Sequence, residues 1–182
     1  MKATVTELPF NNFLGIQPAT NAEHLLQLPS GSQYLNHLGA VHASAQLALA
    51  EASSGEFLLR HFSSADDLFP VVRRVEAKFR KPANGGIVST ASAAPEALAR
   101  LDTELSSKSR SMISIAVELY DELGAHTLSA TFEWFIQREK NLTTQNAVAR
   151  LRQLLACTWF DGRTPPSLTN ARVLFVFERC RA

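Results

Sequence analysis

Cysteine is scarce in this 182-residue chain, with Cys157 and Cys180 the only two. Two thiols cannot build a disulfide scaffold, and their spacing is not that of a zinc site. Charge of one sign is lacking too: 18 Lys and Arg face 17 Asp and Glu, a formal net charge of +1. That balance argues against an acidic tail and against nonspecific coating of nucleic acid. Long hydrophobic runs are missing. The most apolar stretch, residues 39–52, is interrupted by His42, Gln46 and Glu51, which argues against a membrane span. Residues 1–10 do not combine a basic start with an apolar run, so no secretory signal is read and a cytoplasmic location is expected. His24, His37, His42, His61 and His126 have no ligand spacing, so neither a metal nor another cofactor is expected. What is present is 46% hydrophobic and 19% charged residues, in a length that suits one globular domain with a sizeable core.

Residues 1–32 read as irregular, punctuated by Pro9, Pro18 and Pro29, with one short apolar piece at 24–28 that fits a strand or a helical turn. Residues 40–52 are dominated by Ala and Leu, strong helix formers, with no Gly or Pro among them. Apolar residues fall on nearly every face, which predicts a buried helix. Its small side chains would let a sheet approach closely, and it can run on through Gly55 as far as Leu59. The period then changes. Val71, Val75, Ala77 and Phe79 alternate with Arg74, Glu76 and Lys78, the pattern of a half-buried strand. Pro82, Asn84, Gly85 and Gly86 read as a turn, with 87–91 as the returning hairpin partner. Pro95 opens a short polar helix to about residue 107. Alternation over 112–120 and again over 128–137, joined by Asp121-Glu122-Leu123-Gly124, predicts a second hairpin.

Residues 141–182 read as a C-terminal extension packed on the domain formed by 1–140, being too few for a core of their own. Thr143 or Thr144 can cap a helix with Val148, Leu151, Leu154 and Leu155 on one face, and 172–178 fit a last strand.

The residues most suggestive of chemistry are Asn36-His37-Leu38-Gly39-Ala40-Val41-His42-Ala43, leading into the apolar helix, and Glu51 further along it. Glu is rarely buried without a partner or a task. Among Ala48, Leu49, Ala50 and Ala52, burial would raise its pKa toward that of a general base. The alternative is a frayed helix end, with Glu51 bonded to Ser53, Ser54 or solvent.

Asn36, then His42 followed by a small residue, then an acid nine positions on, resembles the acyl-CoA thioesterases of the hotdog fold. The likeness is to the branch of phenylacetyl-CoA-type thioesterases, and more closely to an uncharacterised bacterial subgroup, over about residues 24–138. The resemblance implies an α+β hotdog fold, a long helix wrapped by an antiparallel sheet. It further implies hydrolysis of acyl-CoA or acyl-carrier thioesters. Glu51 would activate water or attack the thioester, the Ala43 amide would polarise the carbonyl, Asn36 would position water or substrate, and His42 would shape the site. Gly39 and Ser44 would line the substrate. Free amides at a helix start are suited to an oxyanion on physical grounds alone. Ala43 and Ser44 stand where the family usually has glycines, so the methyl group of Ala43 narrows the approach. A non-catalytic acyl-CoA or fatty-acyl binding protein of the same fold is therefore the second reading. Dehydration of acyl thioesters is a distant third, since its His-Phe-Pro signature is absent around His42.

Nine helical steps put the Cα atoms of residues 42 and 51 roughly 13.5 Å apart and on opposite faces. One carbonyl cannot meet both groups from one chain, so either one of them is idle or the site lies between two subunits. Hotdog thioesterases are built as such dimers, and a homodimer, with a tetramer as a further option, is expected. Arg73, Arg74, Lys78, Arg80 and Lys81 form a basic cluster. Arg80 and Lys81 are candidates for holding coenzyme A phosphates, against the alternative of a solvated strand face with structural ion pairs. No nucleic-acid or membrane partner is expected.

Overall fold

The computed structural model describes residues 4–62 and 67–138, all within the compact unit Met1–Asn141. The helix and strand expected beyond residue 141 lie outside the described residues.

The central element is α2, Ala43–His61. It was expected from about residue 40, but its first turn begins only where His42, in extended conformation, caps it. The helix ends at Phe62, and Arg60 and His61 in its last turn complement the negative end of its dipole. Two other helices are α1 (Pro9–Phe13) and α3 (Pro95–Lys108), the latter opened by proline as anticipated. The strands are β1 (Gln17–Pro18), β2 (Leu26–Leu28), β3 (Leu68–Phe79), β4 (Ile87–Ser92), β5 (Arg110–Asp121) and β6 (His126–Arg138). They form one antiparallel sheet in the order β1-β2-β4-β5-β6-β3. A long helix packed on such a sheet is the hotdog architecture.

The β5–β6 hairpin is the one read from the alternation, turning at Gly124 with φ +75°. The expected β3–β4 hairpin is not formed. β4 pairs with β2 and β5, whereas β3 crosses to the far edge and pairs with β6. Its long ladder, from Leu68↔Arg138 to Phe79↔Leu128, supplies far more pairing than the six-residue β4 could offer.

Strand β3 also departs from the half-buried reading. The register slips between Val72 and Arg74, and an extra residue in one strand turns later side chains to the other face. Val71 thus shares a face with Phe135, while Val75, Ala77 and Phe79 share the opposite face with Phe132, Ala130 and Leu128. The β6 members of that second set are buried, but Val75 and Phe79 are 41% and 48% exposed. They stand beyond the reach of α2, which packs over β2, β4, β5 and β6.

Ala45, Ala48, Leu49, Ala52 and Ser53 are buried on α2, and the sheet answers with Ile113, Ile115, Val117, Leu119 and Phe132. Small helix residues bring the two layers close enough for hydroxyl contacts. Ser53 Oγ lies 2.7 Å from Ser89 Oγ on β4, and Ser89 Oγ lies 3.0 Å from the Leu26 carbonyl and 3.1 Å from the Leu26 amide on β2.

Candidate active site

The segment before α2 is folded on itself. The Asn36 side-chain oxygen accepts hydrogen bonds from the amides of Leu38 (2.8 Å) and Ala40 (3.2 Å). Its backbone amide donates to the Ala40 carbonyl (2.8 Å) and its carbonyl accepts from Gly39 (3.0 Å). Asn36 therefore organises the loop through its oxygen, leaving its NH2 group as the donor for anything else. Gly39, at φ +75°, makes the turn that this closure requires. Leu35 bridges Val41, the His42 amide donates to the Tyr34 carbonyl (2.7 Å), and the Val41 amide donates to the Ala83 carbonyl (2.8 Å).

At the helix start, His42 Nδ1 accepts the Ser44 amide (3.1 Å). That bond assigns the tautomer: Nδ1 carries the lone pair and Nε2–H points to the exterior. The amides of Ala45 and Gln46 donate to the His42 carbonyl. Among the described residues the amide of Ala43 has no acceptor, and Ala43 is exposed. One free N–H, backed by a helix of 19 residues, is thus presented to the outside, where it can stabilise a developing negative oxygen.

Glu51 is placed differently from the expectation. Its neighbours Ala50 and Ala52 are buried, but Glu51 itself is exposed. The helix is not apolar all round: Ser44 and Glu51 are exposed, and Leu47 and Gly55, on the same stripe at spacings of three or four, are half-buried. Nor is it a frayed end, since α2 continues for ten residues beyond it. Ser54 fixes this turn: its hydroxyl donates to the Glu51 carbonyl (2.7 Å) and accepts from Trp134 Nε1 (3.1 Å). Trp134 pairs with Val72 on β3, so the stripe flanks the side of the sheet where Val75 and Phe79 emerge. Along the helix, Ala43 and Glu51 are eight residues apart, about 12 Å.

The structure brings together Asn36, Gly39, His42, Ala43 and Ser44, and holds Glu51 apart from them. The basic cluster separates as well. The Arg73 guanidinium lies over the Phe135 ring at 5.8 Å and Arg74 pairs with Glu76 at 3.4 Å. Arg80 and Lys81 instead sit past the end of β3, in the loop that reaches Val41 through Ala83, and Arg80 Nε donates to Ser129 Oγ at 2.7 Å. Sequence reasoning missed Gln46, which is buried and donates from Nε2 to the Val41 carbonyl (3.2 Å). A polar side chain inside an Ala/Leu run was its signal, since a buried amide needs partners. No group of three or more His, Cys, Asp or Glu among the described residues can hold a metal ion. No described helix is long and apolar enough to cross a membrane.

The model of a protein family described as a domain of unknown function, DUF4442, matches residues 13–136. No curated protein matches the chain. Among solved structures, a Pseudomonas aeruginosa protein of unknown function, described as a probable thioesterase, is 25% identical. The match covers 74% of this chain and 91% of that one, with a TM-score of 0.63. A Bacillus halodurans protein solved with CoA is 20% identical over 70% of this chain and 74% of its own, with a TM-score of 0.54. A Haemophilus influenzae thioesterase is 13% identical over 78% and 92%, with a TM-score of 0.57. The last two likenesses concern the fold.

Proposed function

The chain belongs to the DUF4442 family, and from that premise we propose that it hydrolyses acyl-CoA or acyl-carrier thioesters at a site built by two copies of itself. The observation that carries this reading is the exposed amide of Ala43 at the start of α2, without an acceptor among the described residues. Similarity to a probable thioesterase at 25% identity, and to a fold neighbour solved with CoA, supports the substrate class.

In this reading Glu51 accepts a proton from water as the water oxygen adds to the thioester carbonyl. The carbonyl oxygen becomes an oxyanion and takes the hydrogen bond of the Ala43 amide. Collapse breaks the C–S bond, and the departing thiolate recovers the proton from Glu51, leaving a carboxylic acid and a free thiol. An oxyanion donor of this kind is worth roughly 3–4 kcal/mol of barrier, and a placed general base a further 10²–10⁴-fold or so. His42 Nε2–H and the Asn36 NH2 flank the carbonyl, Gly39 and Ser44 line the approach, and Arg80 and Lys81 meet the phosphates of coenzyme A.

Distance along the helix supports a shared site. A Glu side chain spans far less than the about 12 Å that separates residues 43 and 51. Glu51 of one copy therefore serves the helix start of the other. Among the described residues strand β3 is one edge of the sheet, paired with β6 and with no strand on its other side, a template for a second copy, and its Val75 and Phe79 are exposed.

The test is thiol release from a panel of acyl-CoA thioesters by the wild type and Glu51→Gln. Turnover by the wild type and its loss in the variant, with fold and oligomeric state unchanged, is expected. Equal turnover by both removes Glu51 from the mechanism. A second reading, a non-catalytic acyl-CoA binder, is favoured by one feature: the exposed Ala43 carries a methyl group where the resembled family has glycine. Calorimetric binding of acyl-CoA with no thiol released would select it.

A further inference from the structure

Among the described residues one carboxylate is buried, and it lies beside the loop that meets the helix start. Asp121, the last residue of β5, is 3% exposed. One of its oxygens accepts the amides of Leu123 (3.1 Å) and Ala125 (2.8 Å), closing the β5–β6 turn. The other accepts the amide of Asn84 (3.2 Å), in the loop between β3 and β4. The neighbouring Glu122 holds the same loop, accepting the Gly86 amide at 3.2 Å. The approach is close enough that a Cβ at Gly85 would fall 1.9 Å from the Glu122 carboxyl carbon. A turn alone needs only the first two bonds, so the reach to Asn84 calls for its own account.

Ala83, one residue earlier, is fully buried, and its carbonyl receives the Val41 amide at 2.8 Å. Val41 is followed directly by the capping His42 and by Ala43. Among the described residues this is the only backbone hydrogen bond joining residues 34–42 to the β3–β4 loop. The remaining bonds of that segment are mostly internal, such as Asn36 to Ala40 and His42 to Tyr34.

We infer that Asp121 is a positioning residue for the helix start: by gripping the Asn84 amide it fixes the Ala83 carbonyl, which in turn sets where the Ala43 N–H points. The inference rests on the proposed thioester hydrolysis, in which that N–H polarises the carbonyl. An oxyanion donor acts through pre-set geometry, and its contact strengthens in the transition state. Loosening the grip therefore lowers kcat and leaves KM nearly in place.

The test compares wild type with Asp121→Asn and Asp121→Ser. Asparagine turns an NH2 group toward one of the backbone donors. Serine can still close the local turn but is too short for Asn84, and it keeps the test open if the asparagine variant misfolds. Leu101→Ala, fully buried on α3, which packs on β5 and β6, serves as a destabilised control. Hydrogen exchange at the Val41 amide should quicken by about tenfold in the Asp121 variants and much less in the control. kcat per folded molecule should fall about fivefold or more in them, with KM within about twofold. Unchanged Val41 exchange, or an equal kcat loss in Leu101→Ala, overturns the positioning role while leaving the hydrolase reading intact. Absence of turnover in the wild type overturns the hydrolase reading itself and takes this role with it.

Discussion

Replacing Ser89 by alanine removes the node that ties α2 to β4 and β2. Ser89 is fully buried, as are Ser53 and Leu26 to within 1%, so water cannot take over. The Ser89 and Ser53 hydroxyls carry one proton each. Their oxygens are in contact with each other (2.7 Å), with the Leu26 carbonyl (3.0 Å) and with the Leu49 carbonyl (2.6 Å). Two protons serve three contacts, and Ser89 Oγ also accepts the Leu26 amide at 3.1 Å. The other neighbour of Leu26 in the sheet is Pro18, which has no N–H to give the Leu26 carbonyl. In Ser89→Ala, Ser53 keeps its bond to Leu49, but the Leu26 amide is orphaned. One buried donor without an acceptor costs roughly 1–3 kcal/mol, and a lost bond to the carbonyl about 1 more. Relief from burying a hydroxyl offsets part of this, leaving a loss of about 2 kcal/mol. At about 2–4 °C per kcal/mol for a chain of this size, the melting temperature should drop by about 4–8 °C in calorimetry. A double-mutant cycle with Ser53→Ala should show coupling of about 1 kcal/mol. A melting temperature within about 1 °C of wild type, or strict additivity, would refute the network.

Two further outcomes follow from exposed positions. Val75→Asp or Phe79→Asp places a charge on the uncovered face of β3, and burying it unpaired at a dimer contact costs about 3 kcal/mol. Sedimentation should show subunit affinity about 100-fold weaker, with thioester hydrolysis lost in parallel; a dimer of unchanged affinity would exclude this edge. Glu104 has its pKa lowered by the hydrogen bond from Ser111, then by that from Lys108. A depressed folded pKa adds stability above the ordinary Glu value that is lost as pH falls through the lowered one. The stability gap between wild type and Glu104→Gln should thus narrow on going from about pH 7 to about pH 3, as followed by melting temperature. A constant gap would dismiss the bond.

Much of the fold is legible because pattern and local chemistry agree. The β5–β6 hairpin combines strict alternation with a turn whose Gly124 must take a positive φ. Pro95 and the Ala/Leu run likewise give α3 and α2 their places. Strand β3 was harder to read, for two reasons. The slip at Arg73 changes which residues share a face, and alternation counted through it assigns Val71 wrongly. The turn-like residues 82–86 also suggested a hairpin, but that loop spends its backbone groups on Val41, Asp121 and Glu122. Glu51 illustrates a different limit. An Ala-rich helix reads as buried on every side, and only the placement of the sheet shows that Ser44 and Glu51 are exposed and the stripe through Leu47 and Gly55 only partly covered. Ser44, Glu51 and Gly55 were its trace in the sequence, three residues of low hydrophobicity at helical spacing. The helix start was legible as a motif, whereas the support from Gln46, Ala83 and Asp121 arises from contacts across the chain that spacing cannot reveal.

The shared site is tested most directly by subunit complementation. Ala43→Pro deletes the N–H at the first helical position, where proline fits, and His42 before it already has the extended backbone (φ −61°, ψ 140°) that proline demands. Its fold should persist while turnover falls by about 10²–10³. Glu51→Ala should be inactive as well. When the two are unfolded together and refolded as an equal mixture, half the dimers carry one chain of each kind, and each has one intact site of its two. A shared site restores about a quarter of wild-type activity; a mixture as inactive as its components rules sharing out.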